Sequence, residues 1–227
     1  MTPELDLANI IQKIAINALP LLFSVILHEV AHGWAANRLG DPTARMLGRL
    51  TLNPVPHIDP IGTVLMPLML LALGGPIFGY ARPVPITAAN FRHPTQGMAI
   101  AAAAGPAVNI LLAVASVILL RLFQLVIGIS PPDIVMAAVV PIGLMLNASI
   151  IWNTYLAVFN MIPLLPLDGG RVLMGILPKK AANSFSRIEP YGFLILMILI
   201  FSGFTRHIVT VPVNLVFGLL EWIGGLI

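Results

Sequence analysis

The stretch Leu21-Leu22-Phe23-Ser24-Val25-Ile26-Leu27-His28-Glu29-Val30-Ala31-His32 decides how the rest of the chain is read. It is an apolar run that ends in H-E-x-x-H. On a helix His28 and His32 lie one turn apart on one face, close enough to hold one zinc ion. Glu29 lies beside that face, where it can reach a water at the metal without taking a ligand position. Ionisable residues in an apolar helix are costly and usually functional. The motif therefore points to a zinc-dependent hydrolase rather than to a helix with incidental histidines.

The composition sets the medium. Of 227 residues, 58% are hydrophobic and 9% charged, and the mean hydropathy is +0.97. Soluble domains carry about 25% charged residues, so the chain reads as an integral membrane protein. Cysteine is absent, which excludes disulfides, thiolate metal sites and cysteine nucleophiles. Any metal must be held by histidine and carboxylate. The net charge of +3 is a matter of membrane orientation and not a nucleic-acid signal. The first residues are acidic and the first apolar segment contains the motif, so no cleavable signal peptide is expected. Without repeats or long polar linkers, residues 1–227 read as a single domain.

A crossing of the hydrocarbon core takes about 20 apolar residues. Residues 14–36, 96–120 and 135–162 meet that length, and 191–204 and 207–222 are further apolar stretches. The last is weakened by Pro212, Asn214 and Glu221, so an interfacial placement is open for it. The expected fold is an all-α polytopic membrane protein with about five to six transmembrane helices. Residues 61–73 are apolar but short and end at Gly74-Gly75-Pro76. Residues 78–91 contain Arg82-Pro83-Val84-Pro85-Ile86, the pattern of extended backbone, a short edge strand or a hairpin.

A catalytic zinc usually keeps three protein ligands and an open position. Two carboxylate or histidine candidates border apolar segments: Asp168, after the 135–162 span, and the His57/Asp59 pair before Ile61. Either aspartate could instead cap a helix or open a turn. Spacing alone leaves both open.

H-E-V-A-H at 28–32, G-P-A-V-N at 105–109 and N-M-I-P-L-L-P-L-D-G-G at 160–170 together resemble the site-2 protease family of intramembrane zinc metalloproteases. The loop Asn53-Pro-Val-Pro-His57-Ile-Asp59-Pro-Ile-Gly62 resembles the small prokaryotic branch without a PDZ domain. The likeness covers most of residues 20–178, with three motifs in the family's order. It implies Asp168 as the third zinc ligand and Glu29 as the general base. It also implies one Zn2+ per chain and membrane-anchored protein substrates cut in or near their transmembrane segments, in regulated intramembrane proteolysis. For Asn160 it implies a substrate-binding role, holding substrate backbone or the developing oxyanion; Asn109 is a further substrate-binding candidate, with close helix approach at Gly105 and Ala107 as the alternative reading of that stretch. Asn153 reads as structural, joining helices. The rival class is a zinc-handling or transport protein that would use Glu29 as a ligand.

If His32 and Asp168 meet at one zinc, the spans that carry them must exit on the same side. Residues 61–73 must then fold back rather than cross. Lys13, Arg121 and Arg206 would lie on one side and the other nine of the twelve basic residues on the zinc side. By the positive-inside rule the zinc side is cytoplasmic, in a multi-pass protein of the plasma membrane.

Overall fold

A computed structural model describes residues 7–72, 79–127 and 133–225. Nine helices fall within them: α1 (Leu7–Arg38), α2 (Thr43–Met46), α3 (Met66–Ala72), α4 (Pro94–Ile127), α5 (Asp133–Asn160), α6 (Asp168–Ile176), α7 (Lys179–Ser186), α8 (Glu189–Phe201) and α9 (Phe204–Gly225). Four helices contain a stretch long and apolar enough to cross a bilayer: Ile14–Arg38, Pro94–Leu125, Val139–Asn160 and Phe204–Gly225. A fifth would count only if α7 and α8, bent 65° against each other, made one crossing. Alone, α8 has 13 residues, about 20 Å of helix against a hydrocarbon core of about 30 Å. The described residues therefore give four to five crossings, which meets the sequence expectation of five to six at five.

Each of the four long helices contains a proline, Pro20, Pro106, Pro141 and Pro212. Membrane helices tolerate this because neighbouring elements satisfy the freed backbone groups. Pro212 accordingly does not end α9, which runs 22 residues from Phe204 to Gly225.

α1, α4 and α5 form the centre of the bundle. Small residues let them approach: Ala36, Ala101 and Ala113 are fully buried. α9 runs alongside α4 in the same direction. Its first half packs with Val209 and Val213 against Ile162, Leu167 and Leu196, while Leu220 reaches Ala113 and Val117. Gly224 lies against Arg121, at the far end of α4. Arg206, expected opposite the motif, therefore stands at the same end of the bundle as the motif. The expected opposite placement of Arg206 needs a full crossing between α6 and α9, and α8 alone has 13 residues.

The expected strand or hairpin near 78–91 does not form among the described residues, and residue 78 lies outside them. Residues 79–87 run without regular secondary structure. Pro83 and Pro85 have no N–H to give to a ladder, and the neighbouring donors go to separate partners. The N–H of Tyr80 bonds the Gly62 carbonyl at 3.1 Å and that of Arg82 the His57 carbonyl at 2.9 Å. Residue 80 thus returns to residue 62, so the excursion between them begins and ends at one level. The Gly74-Gly75-Pro76 stop falls outside the described residues.

Candidate metal centre

α1 places His28 and His32 one turn apart, with their ring planes at 89° and centroids 4.5 Å apart. Their Nε2 atoms are 3.0 Å from each other. Asp168, the first residue of α6, brings Oδ2 to 3.1 Å from Nε2 of His28 and 3.3 Å from Nε2 of His32. Three donor atoms from two distant parts of the sequence therefore close a small triangle. Around a tetrahedral zinc with bonds of about 2.0–2.1 Å, ligand atoms lie about 3.3–3.4 Å apart.

The hydrogen bonds on the outer side fix what the triangle offers. His28 Nδ1 meets Asn109 Oδ1 at 2.5 Å, and His32 Nδ1 meets the Ala101 carbonyl at 2.8 Å. A carbonyl oxygen only accepts, so each Nδ1 carries the proton and each Nε2 turns a lone pair inward. Asp168 Oδ2 is buried without a hydrogen-bond donor. Two bare nitrogens and a carboxylate oxygen facing one another repel unless a cation sits between them. The donor set fits zinc, with nitrogen and oxygen ligands and histidines oriented from behind.

Local sequence builds this packing. A methyl group on Gly105 would lie 2.5 Å from the His32 ring and 2.7 Å from the His28 ring, so α4 approaches only because that position is glycine. One on Gly169 would lie 2.3 Å from the Met161 carbonyl oxygen, so the turn before Asp168 can fold beneath the start of α6.

Glu29 is half-buried and its Oε2 accepts the Val84 N–H at 2.8 Å. Donor atoms of His28, Glu29 and His32 lie within 4.8 Å of one another. Asp59, the other sequence candidate, is engaged elsewhere: its Oδ1 accepts the N–H groups of Ile61 and Gly62 at 3.0 and 2.7 Å as a helix cap. His57 is buried and donates from Nε2 to the Thr51 carbonyl at 3.0 Å.

The two asparagines differ. Asn109 is completely buried. Besides meeting His28, its amide nitrogen donates to Asn153 Oδ1 at 2.7 Å and to the Ser24 carbonyl at 3.3 Å. Asn109 thus stands behind His28 with its polar atoms used internally, which disagrees with the substrate contact expected for it. Asn160 is half-buried at the end of α5, and its amide nitrogen donates to the Leu156 carbonyl at 2.9 Å.

Sequence reasoning passed over Asp41. It is fully buried after α1, where it accepts from the Thr43 hydroxyl and N–H, the Asn90 amide and the Thr87 N–H. The Asp41-Pro42-Thr43 triplet carried the signal, since aspartate commonly bonds the backbone two residues on. Val84 carried none, because its part is played by the backbone.

Fold and donor set together define a polytopic membrane protein with one buried histidine–carboxylate cluster of the kind a hydrolytic zinc occupies. The comparisons agree. The family model for peptidase family M50 matches residues 16–202, so the chain belongs to that family, as its site-2 protease motifs indicated. YwhC of Bacillus subtilis, named as a candidate zinc metalloprotease, is 35% identical over 197 residues, covering 86% of this chain and 84% of YwhC. Rip2 of Mycolicibacterium smegmatis, similarly named, is 29% identical over 182 residues, 80% of this chain and 64% of Rip2. The zinc metalloprotease MJ0392 of Methanocaldococcus jannaschii is 26% identical over 198 residues, but the match spans 45% of that protein. No solved structure matches significantly. The chain is an intramembrane zinc endopeptidase with Zn2+ as cofactor, and regulated proteolysis of membrane substrates is the family's function.

Proposed function

We propose that His28, His32 and Asp168 hold the single zinc ion and that Glu29 is the general base. The observation that carries this reading is the triangle of inward donors at 3.0, 3.1 and 3.3 Å. A zinc ion held by His28, His32 and Asp168 would supply Lewis acidity to a water and to the scissile carbonyl. Glu29 accepts the proton as the water attacks, then returns it to the leaving nitrogen. Asn109 and Ala101 keep both histidines in the tautomer that presents Nε2. In place of a substrate contact, Asn109 is assigned this orienting part, and Asn160 alone keeps the substrate-facing role.

The substrate is a membrane-anchored protein whose transmembrane helix unwinds locally, since a helix hides its backbone carbonyls from attack. The return of Tyr80 to the Gly62 carbonyl supports a segment after Pro60 that enters and leaves on one side rather than crossing. The extended segment after it turns the backbone groups of Ala81 away from the edge that bonds residues 57 and 62. That outer edge suits pairing with an unwound peptide. The basic residues on the motif side make that side cytoplasmic.

A zinc-conducting reading has one observation in its favour, the nearness of Glu29 to both histidine donors. Two variants separate the cases. Glu29→Gln should keep about one zinc per chain yet lose cleavage of a model transmembrane substrate, whereas Asp168→Ala should lose the zinc. Loss of metal from Glu29→Gln would make Glu29 a ligand and overturn the assignment of the base.

A further inference from the structure

The Glu29 carboxylate is hydrogen-bonded by a backbone N–H more than fifty residues away in sequence. Residues 79–87 cross α1 as a strap fastened at several points. Its near end is tied to Gly62 and His57 through the N–H groups of Tyr80 and Arg82. Arg49 Nη2 donates to the Arg82 carbonyl at 2.8 Å and to that of Pro83 at 3.4 Å. The far end is held by Asp41 Oδ2, which accepts the Thr87 N–H at 2.7 Å. Gly33, next to His32, allows the strap to lie this close: a methyl group there would stand 2.8 Å from Val84 Cγ1 and 2.7 Å from Leu50.

Between these fastenings the sequence is Pro83-Val84-Pro85. Proline has no N–H and fixes φ, so this tripeptide presents a single backbone donor at a rigid angle. That donor points at Oε2 of Glu29, at 2.8 Å. Val84 is buried, and a buried N–H without a partner is costly, so the bond is held from both sides. A glutamate side chain has three rotatable bonds, and a base displaced by about 1 Å loses much of its effect.

We propose that Val84 is the positioning residue of the general base. Its N–H holds one oxygen of the Glu29 carboxylate, so that the other faces the water to be deprotonated and the group cannot swing in as a fourth ligand. The strap that offers its outer edge to substrate therefore sets the base with its inner edge. This rests on the assignment of Glu29 given above.

The test removes the N–H while keeping the extended backbone. Val84→Pro is compatible with a residue that already lies between prolines, and Val84→Ala keeps the donor but trims the side chain. Replacing valine by its α-hydroxy analogue at residue 84 turns the amide into an ester, which removes the N–H, weakens the Pro83 carbonyl only at its long 3.4 Å contact with Arg49, and serves where the proline variant does not fold. With the purified full chain and a model transmembrane substrate, the proline and ester variants should lose about 10- to 100-fold in kcat. KM should stay within about twofold and zinc content should stay unchanged, while Val84→Ala should remain near the parent. Unchanged kcat in the ester variant overturns the proposal, as does an equal loss in Val84→Ala or a loss of bound zinc. Glu29→Gln is run beside them. If it still cleaves, the base assignment itself has failed, whereas a dead Glu29→Gln with an active ester variant refutes the positioning alone.

Discussion

Asn109 Oδ1 accepts the Nδ1 proton of His28 at 2.5 Å, while the Asn109 amide nitrogen is itself held by Asn153 Oδ1 at 2.7 Å. The chain of contacts continues inward. Asn153 donates to the carbonyl and hydroxyl of Ser149 at 2.9 and 3.1 Å, and Ser149 meets the Ser116 hydroxyl at 2.8 Å. A polar network in a membrane interior is kept only if its members are satisfied. Here it links α1, α4 and α5 and ends on the His28 ring.

Truncating Asn109 should therefore weaken the metal more than the fold. Asn109→Ala is expected to lower zinc affinity about 10- to 100-fold, the usual cost of removing a histidine's outer partner. Asn153→Ala acts one step further out and should lose less. Competition with a chromogenic chelator measures both, and parental affinity in Asn109→Ala would show that His28 needs no partner.

Gly105 makes a sharper steric claim. An alanine there would put its methyl 2.5 Å from His32 and 2.7 Å from His28, inside any tolerated contact, with both rings held from behind and unable to yield. Gly105→Ala should lose bound zinc and cleavage together while keeping its helical circular dichroism. A variant that binds zinc as the parent does would mean that α4 can retreat freely.

The motif and the medium were readable from residue types alone. H-E-x-x-H is a local pattern, and long apolar helices are a matter of composition and length. Asp168 was not separable from Asp59 by spacing. The structure distinguishes them because Asp59 spends its carboxylate on the N–H groups of Ile61 and Gly62, a choice made by local backbone geometry. The misplacement of Arg206 has a similar origin: an apolar stretch of 13 residues in α8 looks like a crossing until its neighbours show where α9 begins. The link between Val84 and Glu29 is carried by an N–H that every residue but proline has, so residue identity could not announce it.

Asp41 gives a pH-dependent prediction. Its burial works against ionisation, but hydrogen bonds from the Thr43 side chain, the Asn90 amide and the backbone N–H groups of Thr87 and Thr43 more than compensate. They hold its carboxyl below the ordinary value of 3.8. A folded pKa below the unfolded one adds stability that is fully present above the unfolded value and lost as pH falls through the folded one. The knot should thus be intact at neutral pH and loosen only in acid below about pH 4. Asp41→Asn should lower stability at pH 7 by about 1–3 kcal/mol, with a smaller gap from the parent in strong acid. Thermal unfolding in detergent across that range measures it, and a gap independent of pH would remove the carboxylate from the account.

The course of α9 makes the topology testable. With Gly224 beside Arg121, α9 leaves from the motif side, so Arg206 joins the nine basic residues already there and only Lys13 and Arg121 stand opposite. Ten against two strengthens the charge bias, and the motif side should face the cytoplasm. The chain contains no cysteine, so single-cysteine variants need no background removed. Met46→Cys, at a residue 79% exposed, and Arg206→Cys should react with a membrane-impermeant maleimide only after the cells are opened. Gln124→Cys should react in intact cells. Labelling of Arg206→Cys in intact cells would make α7 and α8 a fifth crossing, while labelling of Met46→Cys there would reverse the orientation of the site.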